Sequence, residues 1–414
     1  MEEYLDRAEE LLRDVVQSRD ISTLVVLHHL CDLAEVLDNL KLFDECRLTG
    51  NCALDLAEAL GRRSLEFRHE QAETLALVAG LSVYQPRART LFIQAISICE
   101  EVVENDASHS NKHKLLIVLG RASYWAPDHL AALSAQWLER AIQLMTKELP
   151  PTMVHPHLRS VIYNNHGNGL RRLKQYSNAI EAYHEAVSIR RILVVNDPAN
   201  HNFYFAETLV NMGRSLEDIG KYDGAIVAYK EALEICTTMS TQDPLRYNEL
   251  RAKTLLKYGI TLQNLKQVSE AAVVKKQVVS LVRNLAQTGN ECTKLLCNAL
   301  YTYGISCALL GQHAEAVLAY QESIPLRRAL AATDSEEEIY LMWSLHEISN
   351  SFRALDKPAE ANTAATETLE RNHGRVLGDC DYAPDFSRCF VCQRGIIPDS
   401  LCNVSSPFPI ASWS

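Results

Sequence analysis

The sequence contains little that would interrupt regular secondary structure. Glycine supplies 16 and proline 13 of its 414 residues, which excludes a collagen-like or proline-rich architecture. Long hydrophobic runs are also missing, since the two longest, at 21–30 and 75–83, are interrupted or shorter than the roughly 20 residues that cross a bilayer. The hydrophobic share of 47% and the charged share of 22% are ordinary for a globular protein, which excludes a wholly disordered chain.

Positive charge is in short supply. Lys and Arg total 41 against 52 Asp and Glu, so the formal net charge is −11, and no basic block is present. Because this charge balance suits neither duplex nucleic acid nor an anionic membrane, we expect neither as a partner. The first residues are acidic and amphipathic rather than a basic segment before an apolar one, which differs from a secretory signal. We therefore expect a soluble, cytoplasmic protein.

The 12 cysteines form no disulfide framework. Eight are scattered through segments with helical periodicity, where free cysteine usually acts as a small buried hydrophobe, as expected in a reducing compartment. The other four, Cys380, Cys389, Cys392 and Cys402, lie together near the end of the sequence. Two interpretations remain open for them. They could ligate one zinc ion, although the outer spacings differ from the paired CxxC form, or they could belong to a short apolar tail that needs no cofactor.

The sequence repeats itself. One copy reads Leu209, Met212, Gly213 and Leu216, followed by Ala225, Tyr229 and Ala232, and the same spacing recurs up and down the chain. The small residue of each copy follows the previous one after 42 to 47 residues. These residues are Ala34, Ala76, Gly120, Gly167, Gly213, Gly259, Gly304 and Ser349. Eight copies at a nearly constant period indicate a repeat array.

Each copy encodes two amphipathic helices. Large apolar residues recur at intervals of three and four, which is the helical period. A small residue in the first helix and an alanine in the second allow close antiparallel packing, and an aromatic such as Tyr229 fills the space beside them. Between copies, Asp197–Pro198 and Asp243–Pro244 stand 46 residues apart. Proline stops the preceding helix, and aspartate can cap the next one.

This pattern resembles the tetratricopeptide repeat over about residues 27 to 375, and its long period is similar to that of kinesin light chain-type and fungal signalling-associated arrays. The resemblance implies an all-α, right-handed α-solenoid superhelix of about eight helix hairpins. We expect an N-terminal capping helix over 1–26, the array over 27–375 and an irregular cysteine-containing tail over 376–414. The repeats are predicted near 27–60, 69–102, 113–148, 160–193, 206–239, 252–285, 297–330 and 342–375.

No catalytic motif is present. The sequence has no phosphate-binding GKS or GKT, no HExxH and no nucleophile elbow, and the GxG at Gly167–Gly169 lies inside a predicted helix. We therefore predict a non-enzymatic scaffold that binds a peptide or partner protein, with no cofactor apart from the zinc considered for the tail. A second interpretation is a regulatory fragment or paralogue of a larger signalling protein that lacks its NTPase or caspase-like domain. The sequence does not predict the oligomeric state.

In tetratricopeptide arrays the first helix of each repeat lines the concave side, so the resemblance implies which residues face a partner. Amides and cations recur there, and both suit an extended peptide with carboxylates. The candidate binding residues are Asn164, Asn165, Asn168, Arg171, Asn211, Arg214, Lys253, Lys257, Asn298 and Tyr301.

A third interpretation comes from five of the inner-face positions, which resemble the carboxylate clamp that holds the acidic C-termini of heat-shock chaperones. The positions are Asn164, Asn168, Asn211, Lys253 and Lys257. Three match the clamp outright and one has Lys for Arg, but its leading Lys is replaced by Asn164. The arginine pairs Arg171–Arg172, Arg190–Arg191 and Arg327–Arg328 also recur with the repeat, and we interpret them as structurally paired or solvated rather than as nucleic-acid contacts.

Overall fold

The computed structural model describes residues 23–63, 67–81, 87–125, 130–285, 290–332, 334 and 337–378. This part of the chain holds sixteen α-helices and no β-strand, which confirms the all-α prediction. The helices are α1 Thr23–Asn39, α2 Phe43–Arg63, α3 Arg68–Gly80, α4 Ala88–Asn105, α5 His109–Trp125, α6 Ala131–Gln143, α7 Pro156–Arg172, α8 Tyr176–Asn196, α9 Pro198–Asp218, α10 Tyr222–Met239, α11 Pro244–Asn264, α12 Val268–Leu285, α13 Asn290–Leu309, α14 His313–Ala331, α15 Glu337–Ala354 and α16 Pro358–Gly378.

Consecutive helices pair as hairpins, so each odd-numbered helix is the first helix of a repeat and each even-numbered helix is the second. The chain divides between Val282 and Arg283 into two compact units, of which the first contains α1 to α11 and most of α12. None of the described helices has the length and apolar character needed to span a membrane. The capping helix expected over 1–26 and the tail expected over 376–414 lie mostly outside the described residues, so both stay predictions.

The ends of the helices follow from local sequence. Pro198 and Pro244 open α9 and α11, and the side chains of Asp197 and Asp243 accept hydrogen bonds from the backbone N–H three residues on, as predicted. At the other end of α9, Gly220 has a φ of +74°, and Lys221 N donates to Leu216 O at 2.8 Å. This Schellman turn reverses the chain between the two helices of the hairpin.

The same left-handed turn recurs at six hairpins, but glycine occupies it only twice. Gly220 and Gly311 have φ values of +74° and +75°, whereas the equivalent residue elsewhere has a side chain. Those positive-φ residues are Lys41 (+60°), Lys174 (+60°), Lys266 (+65°) and Asp356 (+57°). A side chain in the left-handed region costs roughly 1–2 kcal/mol, so the turn geometry at these four sites is imposed by the packing of the two helices.

The two helices of a repeat touch where the sequence places a glycine opposite a tyrosine. A Cβ atom added at Gly213 would lie 2.5 Å from the ring of Tyr229, and one at Gly167 would lie 2.6 Å from Tyr183. Gly304 stands in the same relation to its own hairpin's tyrosine, Tyr320, at 2.6 Å. Because real Cβ atoms do not approach so closely, only glycine fits, which confirms the predicted role of the small residue.

One hairpin departs from this arrangement. Lys275 stands 46 residues after Tyr229 and takes the place of the tyrosine opposite Gly259. It is 1% exposed, and its ammonium donates to Gln263 Oε1 at 2.6 Å. The lysine stem therefore fills the aromatic position while the charged end reaches a polar acceptor. Sequence pattern alone did not predict a lysine in the core.

Two of the three arginine pairs, Arg190–Arg191 and Arg327–Arg328, make structural contacts within the array. The first arginine of each pair is buried: Arg190 donates to Tyr204 O and Thr208, and Arg327 donates to Glu337 Oε2 and Asn298 Oδ1, both at 2.8 Å. The second arginine forms an ion pair with the next second helix. These pairs are Arg191–Glu231 at 2.8 Å, Arg328–Glu367 at 2.6 Å and, at a site with only one arginine, Arg283–Glu322 at 2.6 Å.

The described cysteines are all free, and six of the eight are buried, which fits their predicted role as small hydrophobes. Burial raises the pKa of the Cys99 thiol to about 12, so this thiol stays protonated and unreactive at neutral pH. Cys52 is the exposed exception.

Candidate functional site

The face shared by α7, α9 and α11 holds eight of the ten predicted binding residues, but not all are available to a partner. Asn164 and Asn165 are 6% and 7% exposed. The Oδ1 atom of Asn164 accepts from Thr208 Oγ1 at 3.2 Å and from Asn211 Nδ2 at 3.5 Å, and its Nδ2 donates to Asn165 Oδ1 at 3.3 Å. These amides tie α7 to α9 within the array. Whether a partner also contacts them stays a prediction.

Other predicted residues are also engaged inside the protein. Asn168 accepts a hydrogen bond from the hydroxyl of Tyr183 at 2.7 Å, and Arg171 pairs with Asp218 at 2.8 Å. Lys253 is exposed and pairs with Glu249, one turn earlier on α11, at 2.5 Å. Each of these bonds uses one donor or acceptor, and Arg171 and Lys253 retain others that a ligand could reach.

The other two predicted binding residues, Asn298 and Tyr301, belong to the second unit. Asn298 accepts from the buried Arg327, and the Tyr301 ring lies 5.9 Å from the same guanidinium carbon. Tyr301 and Tyr320 also have ring centroids 6.1 Å apart. Both predicted residues therefore help to hold a buried cation, a role that the sequence did not indicate.

Three cations from consecutive repeats form a basic cluster, which we define as Arg171, Arg214 and Lys257. They follow one another at intervals of 43 residues, three fewer than the local period of 46, so each lies one helical turn earlier than the last. They are electrostatically coupled: burial lowers the pKa of Lys257, and the charges of Arg214 and Arg171 lower it further. Burial and then the charge of Arg171 lower the pKa of Arg214 in the same way.

Two of the three cations are not neutralised by a bonded partner. Within the described residues the Lys257 ammonium makes no hydrogen bond or ion pair, and Arg214 Nε is buried without a hydrogen-bond acceptor. The neighbouring acids are already bound, since Asp218 pairs with Arg171 while Glu217 accepts from Tyr229 Oη at 2.9 Å and from Thr261 Oγ1. The cluster therefore offers Arg214 and Lys257 to an anion from outside the chain.

A sequence signal for this cluster exists. Arg171, Arg214 and Lys257 were each predicted as binding residues, but their common 43-residue step is what brings them together across three helices. Glu217 and Asp218 were not among the predicted residues. Asp218 pairs with Arg171 of the preceding hairpin, while Glu217 accepts from Tyr229 of its own hairpin and from Thr261 of the next, and the sequence did not indicate these contacts.

Comparison with known families agrees with the hairpin geometry. A family model of the tetratricopeptide repeat matches residues 161–192 and 206–238. The chain carries tetratricopeptide repeats. The matched segments fall on α7 to α10, the two hairpins that contain Arg171 and Arg214 and the glycine–tyrosine contacts of Gly167 and Gly213.

Two solved structures with TM-scores above 0.5 have a similar fold. The apo form of RapI is 10% identical and aligns over 85% of this chain and 99% of its own, with a TM-score of 0.53. A signal transduction ATPase with a tetratricopeptide repeat sensor, from Pyrococcus horikoshii, is 14% identical over 91% of this chain and 53% of its own, with a TM-score of 0.52. BtubC from P. vanneervenii is 12% identical over 63% and 94%, with a TM-score of 0.47. No curated protein sequence matches the chain.

A metal site receives no support from the part of the chain that the structure covers. There, no group of three or more His, Cys, Asp or Glu side chains is arranged to hold an ion. The four cysteines considered for zinc, Cys380, Cys389, Cys392 and Cys402, lie outside the described residues, so that hypothesis stays a prediction.

Proposed function

We propose that this chain is a non-enzymatic protein-interaction scaffold that binds an acidic segment of a partner protein on the face of α7, α9 and α11. The observation that carries this proposal is the basic cluster, in which Arg214 and Lys257 have no anionic partner within hydrogen-bonding distance among the described residues. Tetratricopeptide arrays present such faces to protein ligands, and the repeats of this chain supply the frame.

The charged groups of Arg214 and Lys257 are incompletely solvated. Burial lowers the pKa of both Arg214 and Lys257, and the nearby charges of Asp218 and, for Lys257, Glu217 offset this only in part, which means that their lost hydration is not fully replaced. A ligand carboxylate would restore those interactions, and hydrogen bonds to charged groups contribute roughly 1.5–3 kcal/mol. Because the whole chain carries a net charge of −11, an acidic ligand would be repelled elsewhere and attracted here, which favours one site.

The test uses a fluorescein-labelled peptide of alternating glutamate and serine and measures fluorescence anisotropy. We expect the protein to bind it and Lys257→Glu to weaken the affinity at least tenfold. Lys174→Glu is the matched control, because it makes the same charge change at an exposed hairpin turn that lies outside the cluster. Equal affinity for wild type and Lys257→Glu, or no binding by wild type, would contradict the proposal.

A second candidate is that the array is the sensor part of a larger signalling protein. The observation that favours it is the fold shared with the Pyrococcus horikoshii signal transduction ATPase, of which this chain spans about half the length. Sequencing the full transcript tests it, since an adjoining in-frame NTPase or protease domain would establish it and an isolated array would oppose it.

The chaperone clamp is less well supported by the geometry. Of its five positions, Asn164 and Asn211 bond to each other and Asn168 accepts from Tyr183, so a C-terminal carboxylate would have to displace internal hydrogen bonds.

A further inference from the structure

The second helices α6 and α8 enclose a cleft that the proposed function does not use. It has a volume of about 760 Å³, and its floor is formed by α7 together with Ile142 near the end of α6. Ile142 and Leu170 give the floor an apolar character, while the carboxylates Glu139, Glu181 and Glu185 stand around it. The cleft lies wholly within the first unit.

All three carboxylates are without a bonded partner in the described part of the chain. Glu139, Glu181 and Glu185 are exposed and take part in no ion pair or side-chain hydrogen bond. The arginine of α6, Arg140, does not reach them, because it pairs with Glu148 at 2.5 Å. The cleft therefore has an uncompensated negative charge above an apolar floor.

A comparison with the other repeats shows what is missing. Glu185 stands 46 residues before Glu231, and Glu231 accepts a bidentate pair of hydrogen bonds from Arg191 on the preceding second helix, at 2.8 and 2.9 Å. In the second unit Glu322 and Glu367 are held in the same way. Glu185 is the equivalent acceptor in its repeat, but no arginine of α6 pairs with it.

A half-buried histidine adds a polar atom to this site. His166 lines the cleft, and its Nε2 atom is buried without a hydrogen-bond partner. Burial lowers the pKa of His166, against the opposing charge of Glu139, so the ring is neutral at pH 7. A neutral ring nitrogen with no partner can bond to a polar group that enters the cleft.

We propose that this cleft docks a basic amphipathic segment of a partner protein. A lysine or arginine of that segment takes the position beside Glu185 that arginine fills in three other repeats, and an aliphatic side chain covers Leu170 and Ile142. The three carboxylates suit the basic side chains of such a segment, and the apolar floor suits its aliphatic side chains. A plain acidic surface would attract the basic side chains alone. The site lies on the second helices, so it is separate from the basic cluster.

The experiment measures the anisotropy of a fluorescein-labelled amphipathic helical peptide of lysine and leucine at physiological salt. We expect the triple variant Glu139→Gln, Glu181→Gln, Glu185→Gln to weaken binding about tenfold, since three partly exposed ion pairs are lost. The control is Glu100→Gln, Glu104→Gln, Glu234→Gln, which removes the same charge from exposed, unpaired positions on α4 and α10 and should change affinity less than twofold. Far-UV circular dichroism checks that both variants fold.

Two further measurements keep the proposal open to disproof. Ile142→Lys should weaken binding as the triple variant does, because it places a cation on the floor, and Lys257→Glu should leave it unchanged, which separates this site from the proposed acidic-peptide site. Equal losses in the cleft and control variants would show attraction to net charge alone and overturn the proposal. Displacement of the peptide by spermine at the peptide's own affinity would also overturn it, in favour of a small-polyamine site.

Discussion

Gly120 in α5 and Gly213 in α9 occupy the same repeat position but have different neighbours. A Cβ atom added at Gly213 would lie 2.5 Å from Tyr229, whereas one added at Gly120 would meet nothing closer than Ile162 at 3.9 Å. In the hairpin of α9 and α10 the glycine is required by an aromatic ring. In the hairpin of α5 and α6, a Cβ atom added to the glycine at the same repeat position would lie at ordinary van der Waals distance from its neighbours, so no close contact requires glycine there.

The surroundings of Gly120 explain the difference. In this hairpin α6 begins at Ala131 and continues as a π-helical turn over Leu144–Glu148, and neither segment contains a tyrosine. The second helix of this hairpin therefore presents no tyrosine to Gly120. Its neighbours are instead Ile162 and Leu158 of α7, in the next repeat. A repeat pattern identifies equivalent positions, but the partner of each position depends on local helix register.

The largest expected effect is on Gly213→Ala. The new methyl group would overlap Tyr229, so we expect unfolding free energy to fall by about 1–3 kcal/mol. Gly120→Ala should instead be neutral or stabilising by up to about 1 kcal/mol, because alanine is the better helix former and the site has room. Urea unfolding followed by far-UV circular dichroism measures both. Equal destabilisation of the two variants would show that the contact with Tyr229 does not distinguish Gly213 from Gly120.

A smaller effect should separate two of the tyrosines. Tyr229 Oη donates to Glu217 Oε2 at 2.9 Å, whereas the hydroxyl of Tyr320 is buried with no hydrogen-bond partner. We expect Tyr229→Phe to lower the unfolding free energy by about 1.5 kcal/mol and Tyr320→Phe to be neutral or stabilising. Thermal melts of the two variants beside wild type provide the measurement. A larger loss for Tyr320→Phe than for Tyr229→Phe would contradict the hydrogen-bond assignment.

The smallest effect concerns the hairpin turns. Lys266 adopts a φ of +65° at the turn where Gly220 adopts +74° in the preceding repeat. Lys266→Gly should therefore stabilise the protein by about 1 kcal/mol, and the reciprocal change Gly220→Lys should destabilise it by a similar amount. Chemical denaturation of the pair tests this, and an unchanged midpoint in both would show that the turn tolerates a side chain without strain.

Much of the fold could be predicted from sequence. The period of about 46 residues around Gly167, Gly213 and Gly259 gave the hairpins, and Asp–Pro at 197–198 and 243–244 gave the starts of α9 and α11. These features are local or strictly periodic, so they can be recognised without knowing which helices touch. The lysine at position 275 broke the pattern and was not recognised as a core residue.

The candidate site could be predicted only in part, because its contacts are neither local nor strictly periodic. Asn164 and Arg171 were both expected to face a partner, yet Asn164 is buried against Thr208 and Arg171 pairs with Asp218. Each contact joins residues 44 or 47 positions apart, across two repeats. Helical periodicity can assign a side chain to a face, but it cannot tell whether the neighbouring repeat covers that face.

Sequence by itself determined that this protein is a series of helix hairpins, because amphipathic spacing and close-packing glycines recur with a regular period. Tertiary structure decided which polar groups have no bonded partner in the part of the chain that the structure describes, among them Lys257 and Glu185. The physical reason is that a hydrogen bond or ion pair between repeats forms only over a few ångströms. A shift of one helical turn, about 5.4 Å, is enough to join such a pair or to separate it.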